Sequence, residues 1–391
     1  MVIKRRIEGE LLTLLQEYPV VTILGPRQAG KTTLARTTLD HYSYVNLEDP
    51  ETRDFAARDP KAFLRSLKEQ TIIDEIQRVP DLLSYIQVAV DEAGSAGQYV
   101  LTGSHQLSLR EAITQSLAGR TAILHLLPFS IDELKAGGIR FGKFEDYCFT
   151  GFLPRIYDQS QRPATAYANY YQTYVERDVR QLIQLKDASL FEKMLKLLAG
   201  RVGQAFDYSS LANDVGVDAK TIRHWMSILE ASFILFKLPP YFENFGKRVI
   251  KSPKYYFTEI GLLCYLLGIR EPAQISRDPL VGSIFENLVV MECLKARYNA
   301  GHLPDLYFFR DSKGNEVDLL AAIARKRIAM EIKSASTFSL DQFKGLRRFL
   351  SLADPVDGAY LVYNGEARQL SDGMQACPFH EIQSVFSRLG G

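Results

Sequence analysis

Val20-Val21-Thr22-Ile23-Leu24-Gly25-Pro26-Arg27-Gln28-Ala29-Gly30-Lys31-Thr32-Thr33 is the stretch on which the reading of the chain turns. Val20 to Leu24 is an apolar run that reads as a buried strand, and Thr33-Leu34-Ala35-Arg36 reads as the opening of a helix. Between them lies the spacing G-x-x-x-x-G-K-[ST], a phosphate-binding loop in the strand-to-helix context that such a loop needs. Gly25 and Gly30 let the backbone curl so that successive N–H groups face one concavity, a nest for anionic oxygens. Lys31 is placed to reach β- and γ-phosphates, the Thr32 hydroxyl to ligate Mg²⁺, and the helix adds its positive end. The expected ligand of Gly25, Pro26, Arg27, Gln28, Ala29, Gly30, Lys31, Thr32 and Thr33 is ATP with Mg²⁺.

Working outward, 391 residues exceed one ordinary core, so more than one domain is expected. A hydrophobic fraction of 46% and a charged fraction of 24% are those of a soluble globular chain. The net charge of +1 gives no global basic field, so contact with nucleic acid has to come from a local patch. No apolar run approaches the roughly 20 residues of a membrane span, and Ile7-Glu8-Gly9-Glu10 breaks any signal-peptide core after the basic start. Cys148, Cys264, Cys293 and Cys377 are scattered without C-x-x-C spacing, which points to neither a zinc site nor a disulfide framework. A cytoplasmic location and no membrane partner are expected.

Ile7, Leu11, Leu12, Leu14 and Leu15 place a helix over residues 5–18, and Tyr42 to Leu47 reads as a second strand. Thr71-Ile72-Ile73-Asp74-Glu75 is a short apolar strand ending in two acids. Asp74 is assigned to the Mg²⁺ shell beside Thr32, and Glu75 to polarising the attacking water. Gln98 to Ser104 forms a further strand, whose end offers Thr102, Ser104 or His105 as a γ-phosphate sensor. Another strand, Thr121 to Leu127, is closed by Pro128 and preceded by Arg120, an arginine that can stabilise charge during phosphoryl transfer. Arg155, Arg177 and Arg180 are rivals for that role. Strands alternating with helices make this half a parallel α/β sheet.

The phosphate loop, Asp74-Glu75-Ile76-Gln77-Arg78-Val79-Pro80, Leu101-Thr102-Gly103-Ser104 and Ser116-Leu117-Ala118-Gly119-Arg120 together resemble one family of AAA+-type ATPases. Tyr174-Val175-Glu176-Arg177-Asp178 and Lys251-Ser252-Pro253-Lys254 extend the resemblance over nearly the whole chain. It implies an ATPase core with an adjoining helical region and a C-terminal domain resembling restriction endonucleases.

Residues 131–200 are rich in helix formers and read as a helical lid. Tyr167, Tyr170, Tyr171 and Tyr174 fall on one helix face, the pattern of a core or interdomain seam. In 207–250, Ser209 or Ser210 caps a short helix to Val215, Gly216-Val217-Asp218 turns the chain, and a second helix runs from Ala219 to Glu230. This is a helix-turn-helix pattern with Lys220, Thr221, Arg223 and His224 on the outer face of a recognition helix. Two strands, Phe233 to Leu238 and Lys254 to Phe257, flank a basic wing of Lys247, Arg248, Lys251 and Lys254. DNA is the expected partner, with protein contact as the other use of such a winged helix.

The last stretch carries a second chemistry. Gly282 to Arg297 reads as a strongly amphipathic helix, followed by strands Leu306–Arg310, Glu316–Leu320 and Ile328–Lys333. Alternation puts Glu331 and Lys333 on one face. Asp318 and Glu331 are assigned to a divalent metal, Lys333 to orienting or deprotonating water, and Glu286 to a further acidic contact. The set resembles the metal-dependent PD-(D/E)xK nucleases, a fold also kept as a DNA-binding scaffold, while the same residues also fit an ion-pair network on a solvated sheet edge.

The expected architecture is therefore α/β: a P-loop ATPase core of AAA+/ASCE-like type at 1–135, a helical lid at 136–200, a winged helix-turn-helix at 201–260, and a nuclease-like domain at 261–391. Two functions follow. One is an oligomeric, ATP-driven machine acting on DNA, on branched or recombination-type DNA in its narrowest form, with a metal-dependent nuclease domain as its further possibility. The other is a nucleotide-controlled signalling switch whose C-terminal domain binds protein.

Overall fold

The computed structural model describes residues 3–104, 113, 115–179, 188–241, 251–323, 326–351 and 356–387. Its first layer is a five-stranded sheet in the order β2-β3-β4-β1-β5. The strands are β1 (Val20–Leu24), β2 (Ser43–Asn46), β3 (Thr71–Asp74), β4 (Tyr99–Gly103) and β5 (Thr121–His125). All pairings are parallel. Strand alternation divides β1 between two cores. Val21 and Ile23 pack with Ile7, Leu11, Leu34 and Val100, whereas Val20 and Leu24 pack with Ile73, Leu83, Ile86 and Leu101. Helices thus cover both faces, as a parallel sheet requires. Because every strand runs the same way, one edge of the sheet collects the phosphate loop after β1, Glu75 after β3 and Ser104 after β4. β4 lies between β1 and β3.

The chain then forms helices Ile131–Ala136, Phe144–Thr150, Pro154–Asp158 and Pro163–Tyr170. The first is closed by a capping box between Ser130 and Glu133, and the last two begin on proline. Pro163–Tyr170 continues as a π-helix over Tyr171–Val179. All four tyrosines of the expected seam are buried.

Next come helices Tyr208–Val215 and Ala219–Ala231, joined through Gly216 at a φ of +95°, a left-handed turn that suits glycine. The first helix is capped by Asp207, which accepts from the N–H groups of Ser209 and Ser210. Neither expected serine is the cap, because the Asp207 carboxylate, just before Tyr208, reaches the backbone N–H of both. Asp218 caps the second helix as expected, accepting from Thr221 N at 2.8 Å. Ile222, Trp225, Met226 and Leu229 form its buried stripe. Strands β6 (Leu235–Leu238) and β7 (Lys254–Phe257) follow as an antiparallel pair.

The C-terminal layer is a six-stranded mixed sheet, β12-β13-β11-β10-β9-β8. It is built from β8 (Leu306–Arg310), β9 (Glu316–Ile323), β10 (Lys326–Lys333), β11 (Gly358–Tyr363), β12 (Arg368–Gln369) and β13 (Gln375–Pro378). The helix Val281–Asn299 packs beside it and is buried over most of its surface rather than along one stripe. The reason is that it meets several other elements at once: β5, β7, β10 and the helices Phe144–Thr150, Ile260–Leu266 and Ile382–Ser387. No described helix is long and apolar enough to cross a membrane.

Candidate functional site

The phosphate loop is shaped by close packing. A Cβ on Gly25 would lie 2.0 Å from Leu126 O, and Gly30 has a φ of +92°. Arg5 secures the loop from below. Its guanidinium donates to Ala29 O at 2.7 Å, to Leu127 O at 2.6 Å and to Glu133 Oε1 at 2.9 Å. Lys31 Nζ curls over the loop onto Gly25 O at 3.0 Å and Pro26 O at 2.9 Å. Burial pulls its pKa down to about 8, although Glu75 and Asp74 pull the other way.

Thr32, at the start of the helix Lys31–Thr38, meets the end of β3. Its Oγ1 donates to Asp74 at 3.0 and 3.1 Å, and Tyr44 OH donates to Asp74 Oδ2 at 2.8 Å. Thr102 Oγ1 also donates to Asp74. Glu75 follows with a left-handed backbone, φ +58°. Burial raises its pKa, Lys31 opposes this and Asp74 adds to it. Gln77 Nε2 donates to Glu75 and, at 3.2 Å, to Ser104 Oγ. The expected set of Lys31, Thr32, Asp74, Glu75 and Ser104 therefore meets in one place, at the carboxyl edge of the sheet.

A cavity of about 550 Å³ opens over this set. Its walls include Arg27, Gln28, Gly30, Lys31, Thr32, Thr33 and Glu75 from the sheet side, Ile3 to Arg5 from the amino-terminal segment, and Pro154, Arg155, Tyr157, Thr173 and Tyr174 from the helices. The donor set suits a nucleotide: a loop with no room for a Cβ, a lysine at its mouth, and a hydroxyl paired with a carboxylate, which is oxygen chemistry of the kind Mg²⁺ takes.

Arg120 is elsewhere. It precedes β5, so parallel pairing puts it at the amino edge of the sheet, away from the loop. There it makes a two-pronged pair with Asp91 at 2.6 and 2.8 Å. Arg155 does reach the cavity. His105, Arg180, Lys247 and Arg248 lie outside the described residues, as does the side chain of Arg177.

Of the expected DNA face, Lys220, Arg223 and His224 are exposed on the helix Ala219–Ala231, and Thr221 is half-buried. The Arg223 guanidinium sits 4.2 Å from the Tyr208 ring centroid. Lys254 is not part of a basic wing. It is 2% exposed and points into the C-terminal acids, 2.9 Å from Glu286 Oε1 and 2.6 Å from Glu316 Oε1. Burial works against its charge, but Tyr256, Glu286, Asp318 and Glu316 together hold its pKa well above the usual lysine value.

Glu286 is correspondingly engaged, accepting from Lys254 and from Tyr256 OH at 2.5 Å. Lys333 Nζ lies 2.6 Å from Glu331 and 3.4 Å from Asp318, so those three do meet as expected. Asp318 also accepts from Ile332 N at 2.7 Å. Burial and the neighbouring Asp318 raise Glu331 to about 7. Among the described residues no three acidic, histidine or cysteine side chains are arranged to hold a metal ion. Of the expected metal set, Asp318 and Glu331 share Lys333, while Glu286 is paired with Lys254, which also holds Glu316.

Sequence reasoning missed Arg5, Tyr44, Tyr174 and the placement of Lys254. For Lys254 a signal existed, since it opens a run whose other members, Tyr255, Tyr256 and Phe257, are wholly apolar or aromatic.

Residues 17–135 match the family described as AAA domain. With the loop, the acids of β3 and the parallel sheet, this defines a P-loop ATPase of AAA type. The chain belongs to the family of the uncharacterized protein Rv2008c of Mycobacterium tuberculosis, to which it is 32% identical over 394 residues, 99% of this chain and 86% of that protein. An uncharacterized protein of Haemophilus influenzae is 23% identical over 353 residues, 80% of this chain and 82% of that one. Residues 142–273 and 281–382 match two domains of unknown function, DUF8612 and DUF4143. Among solved structures, the Walker-type ATPase PABY2304 of Pyrococcus abyssi aligns with a TM-score of 0.46 at 15% identity, over 68% of this chain and 96% of that chain.

Proposed function

We propose that this AAA-type ATPase hydrolyses ATP to act on DNA, which it holds through the exposed face of the helix Ala219–Ala231. The observation that carries the reading is the convergence of Lys31, Thr32 and Glu75 on one cavity, with Asp74 bonded to Thr32 behind its wall. In this reading Gly25 to Thr33 cradle the phosphates, and Thr32 and Asp74 hold the Mg²⁺ that accompanies them. The ion's contribution is neutralisation of phosphate charge. Glu75 orients and polarises the attacking water, and Ser104 with Gln77 fixes Glu75. Arg155, entering from the lid, takes the role first given to Arg120. A homo-oligomer with sites near subunit boundaries fits an arginine of that kind.

The two helices with the β6–β7 pair form a winged helix-turn-helix, and Lys220, Arg223 and His224 supply phosphate and base-edge contacts. The C-terminal domain, of nuclease-like fold, serves as a scaffold in this reading. Lys254 is paired with Glu286, and Lys333 with Asp318 and Glu331; this reading assigns the last three no cleavage step.

The test is steady-state hydrolysis with Mg²⁺, alone and with single-stranded, duplex and four-way-junction DNA, against a Lys31→Ala control. Stimulation by one DNA form is expected. Hydrolysis no greater than that of the control overturns the ATPase assignment, and hydrolysis indifferent to all three DNAs favours a switch that binds protein.

A further inference from the structure

Tyr174 belongs to the nucleotide cavity and also reaches beyond it. Its ring lines the cavity, with the guanidinium of Arg27, a phosphate-loop residue, 5.9 Å from the ring centroid. Its hydroxyl donates to Ser232 O at 2.7 Å. Ser232 is the residue that closes the helix Ala219–Ala231. One side chain therefore spans from the phosphate loop to the end of the proposed DNA-reading helix.

The junction it holds is strained. Phe233, the next residue, has a φ of +55°, where a bulky L-residue is a genuine outlier. Its ring lies 5.9 Å from His125, at the end of β5. Its carbonyl accepts from Thr258 Oγ1, and Thr258 N donates to Ile234 O at 3.0 Å. The ATPase sheet, the cavity wall and the segment after β7 all grip three consecutive residues. Tyr174 is itself carried on the π-helix Tyr171–Val179, a rare geometry that is frequent at functional sites.

We propose that Tyr174 couples occupancy of the nucleotide cavity to the position of the helix Ala219–Ala231. Phosphates entering the loop draw Arg27 toward them and away from the Tyr174 ring. The ring shifts, its bond to Ser232 O is reset, and Phe233 exchanges its strained backbone for a relaxed one, which moves the helix end. Coupling of this kind is reciprocal, so a ligand on the helix changes nucleotide affinity by the same factor. The inference rests on the nucleotide reading of the cavity and not on the identity of the helix's ligand.

Trp225 is the chain's single tryptophan and is buried in this helix, so its emission reports the helix's surroundings. The full chain carrying Glu75→Gln is titrated with Mg²⁺-ATP, binding being followed independently by calorimetry. A saturable change in Trp225 emission is expected. Tyr174→Phe, which keeps the ring and removes only the hydroxyl, should abolish that change while calorimetry still shows binding. Tyr170→Phe, an equally buried neighbour, should retain it. With DNA present, ATP should alter DNA affinity by about 5- to 150-fold, and Tyr174→Phe should bring the ratio close to one.

An emission change that persists at full amplitude in Tyr174→Phe, or none at nucleotide saturation in the parent, overturns the proposal. Absence of ATP binding overturns it together with the nucleotide reading. A Tyr174-dependent change in a protein that binds none of the DNAs upholds the coupling and removes DNA as the partner.

Discussion

Glu75 is held in a conformation that a glutamate does not choose. Its φ of +58° lies in the left-handed region, Thr102 Oγ1 accepts its N–H at 3.2 Å, and Gln77 and Ser104 address its carboxylate. Strain of this kind persists only where the surroundings over-determine it, and it clusters at working sites. Glu75→Gln is expected to keep nucleotide binding and to lower the hydrolysis rate by about 10²–10⁴-fold, the range for removing a general base. Paired calorimetry and turnover measurements check this, and loss of binding would place Glu75 in the cradle instead. Because burial raises the Glu75 pKa, the acid limb of the rate profile should lie above that of an ordinary glutamate. Glu331 gives a second pH signature. Its folded pKa is about 7 against 4.5 unperturbed, so between those values the native state holds a proton that the unfolded chain has lost. Stability from this group is present below pH 4.5 and is lost as pH rises through 7. Urea midpoints should fall between pH 5 and pH 8, and Glu331→Gln should flatten that decline; an unchanged slope would show that Glu331 titrates normally.

At the scale of elements, the helix Ala219–Ala231 divides cleanly between a buried stripe and an exposed basic face. Arg223→Ala and Lys220→Ala should each weaken DNA binding and reduce the slope of log affinity against log salt by about 1, with nucleotide binding unchanged. Equal salt slopes in parent and variants would mean that the helix does not meet phosphates. This helix was legible in the sequence because its cap, its 3.6-residue period and the glycine before it all lie within a short window. The phosphate loop and the acids of β3 were legible for the same reason: their chemistry is contiguous. Where several segments meet, sequence patterns lost their hold. The helix Val281–Asn299 reads as amphipathic in sequence, yet its charged residues Glu286, Glu292, Lys295 and Arg297, spread around its circumference, are engaged by other elements. Arg120 precedes β5, which in a parallel sheet sets it at the amino edge, opposite the loop; a reading by residue type alone passed over that constraint. Lys254 falls among Lys247, Arg248 and Lys251 in the chain, while the strand it opens carries it inside.

At the scale of the molecule, the helix Val281–Asn299 holds the modules together with polar groups as well as apolar ones. Asn287 exchanges two hydrogen bonds with the backbone of Phe257, at 2.8 and 2.9 Å. Glu292 accepts from Ile131 N at 2.9 Å, at the start of the helix Ile131–Ala136, and Lys295 lies 3.5 Å from the Phe152 ring centroid. Glu286 holds Lys254, which also holds Glu316 on β9. One ammonium thus ties the β6–β7 pair to the helix and to the C-terminal sheet. A buried pair adds little over an apolar one, but breaking it from one side leaves uncompensated charge. Lys254→Met should therefore cost about 3–5 kcal/mol, lowering the urea midpoint of the chain. Adding Glu286→Gln to it should recover part of that loss, since one of the stranded acids is then neutral. The non-additivity is the informative quantity, because two independent structural defects would sum. The same helix touches β5 of the ATPase sheet and the helix Phe144–Thr150, so a nucleotide that stabilises the ATPase half should raise the midpoint of the C-terminal sheet with it. Separate transitions for the two halves, with Lys254→Met moving only one, would show that this joint transmits nothing.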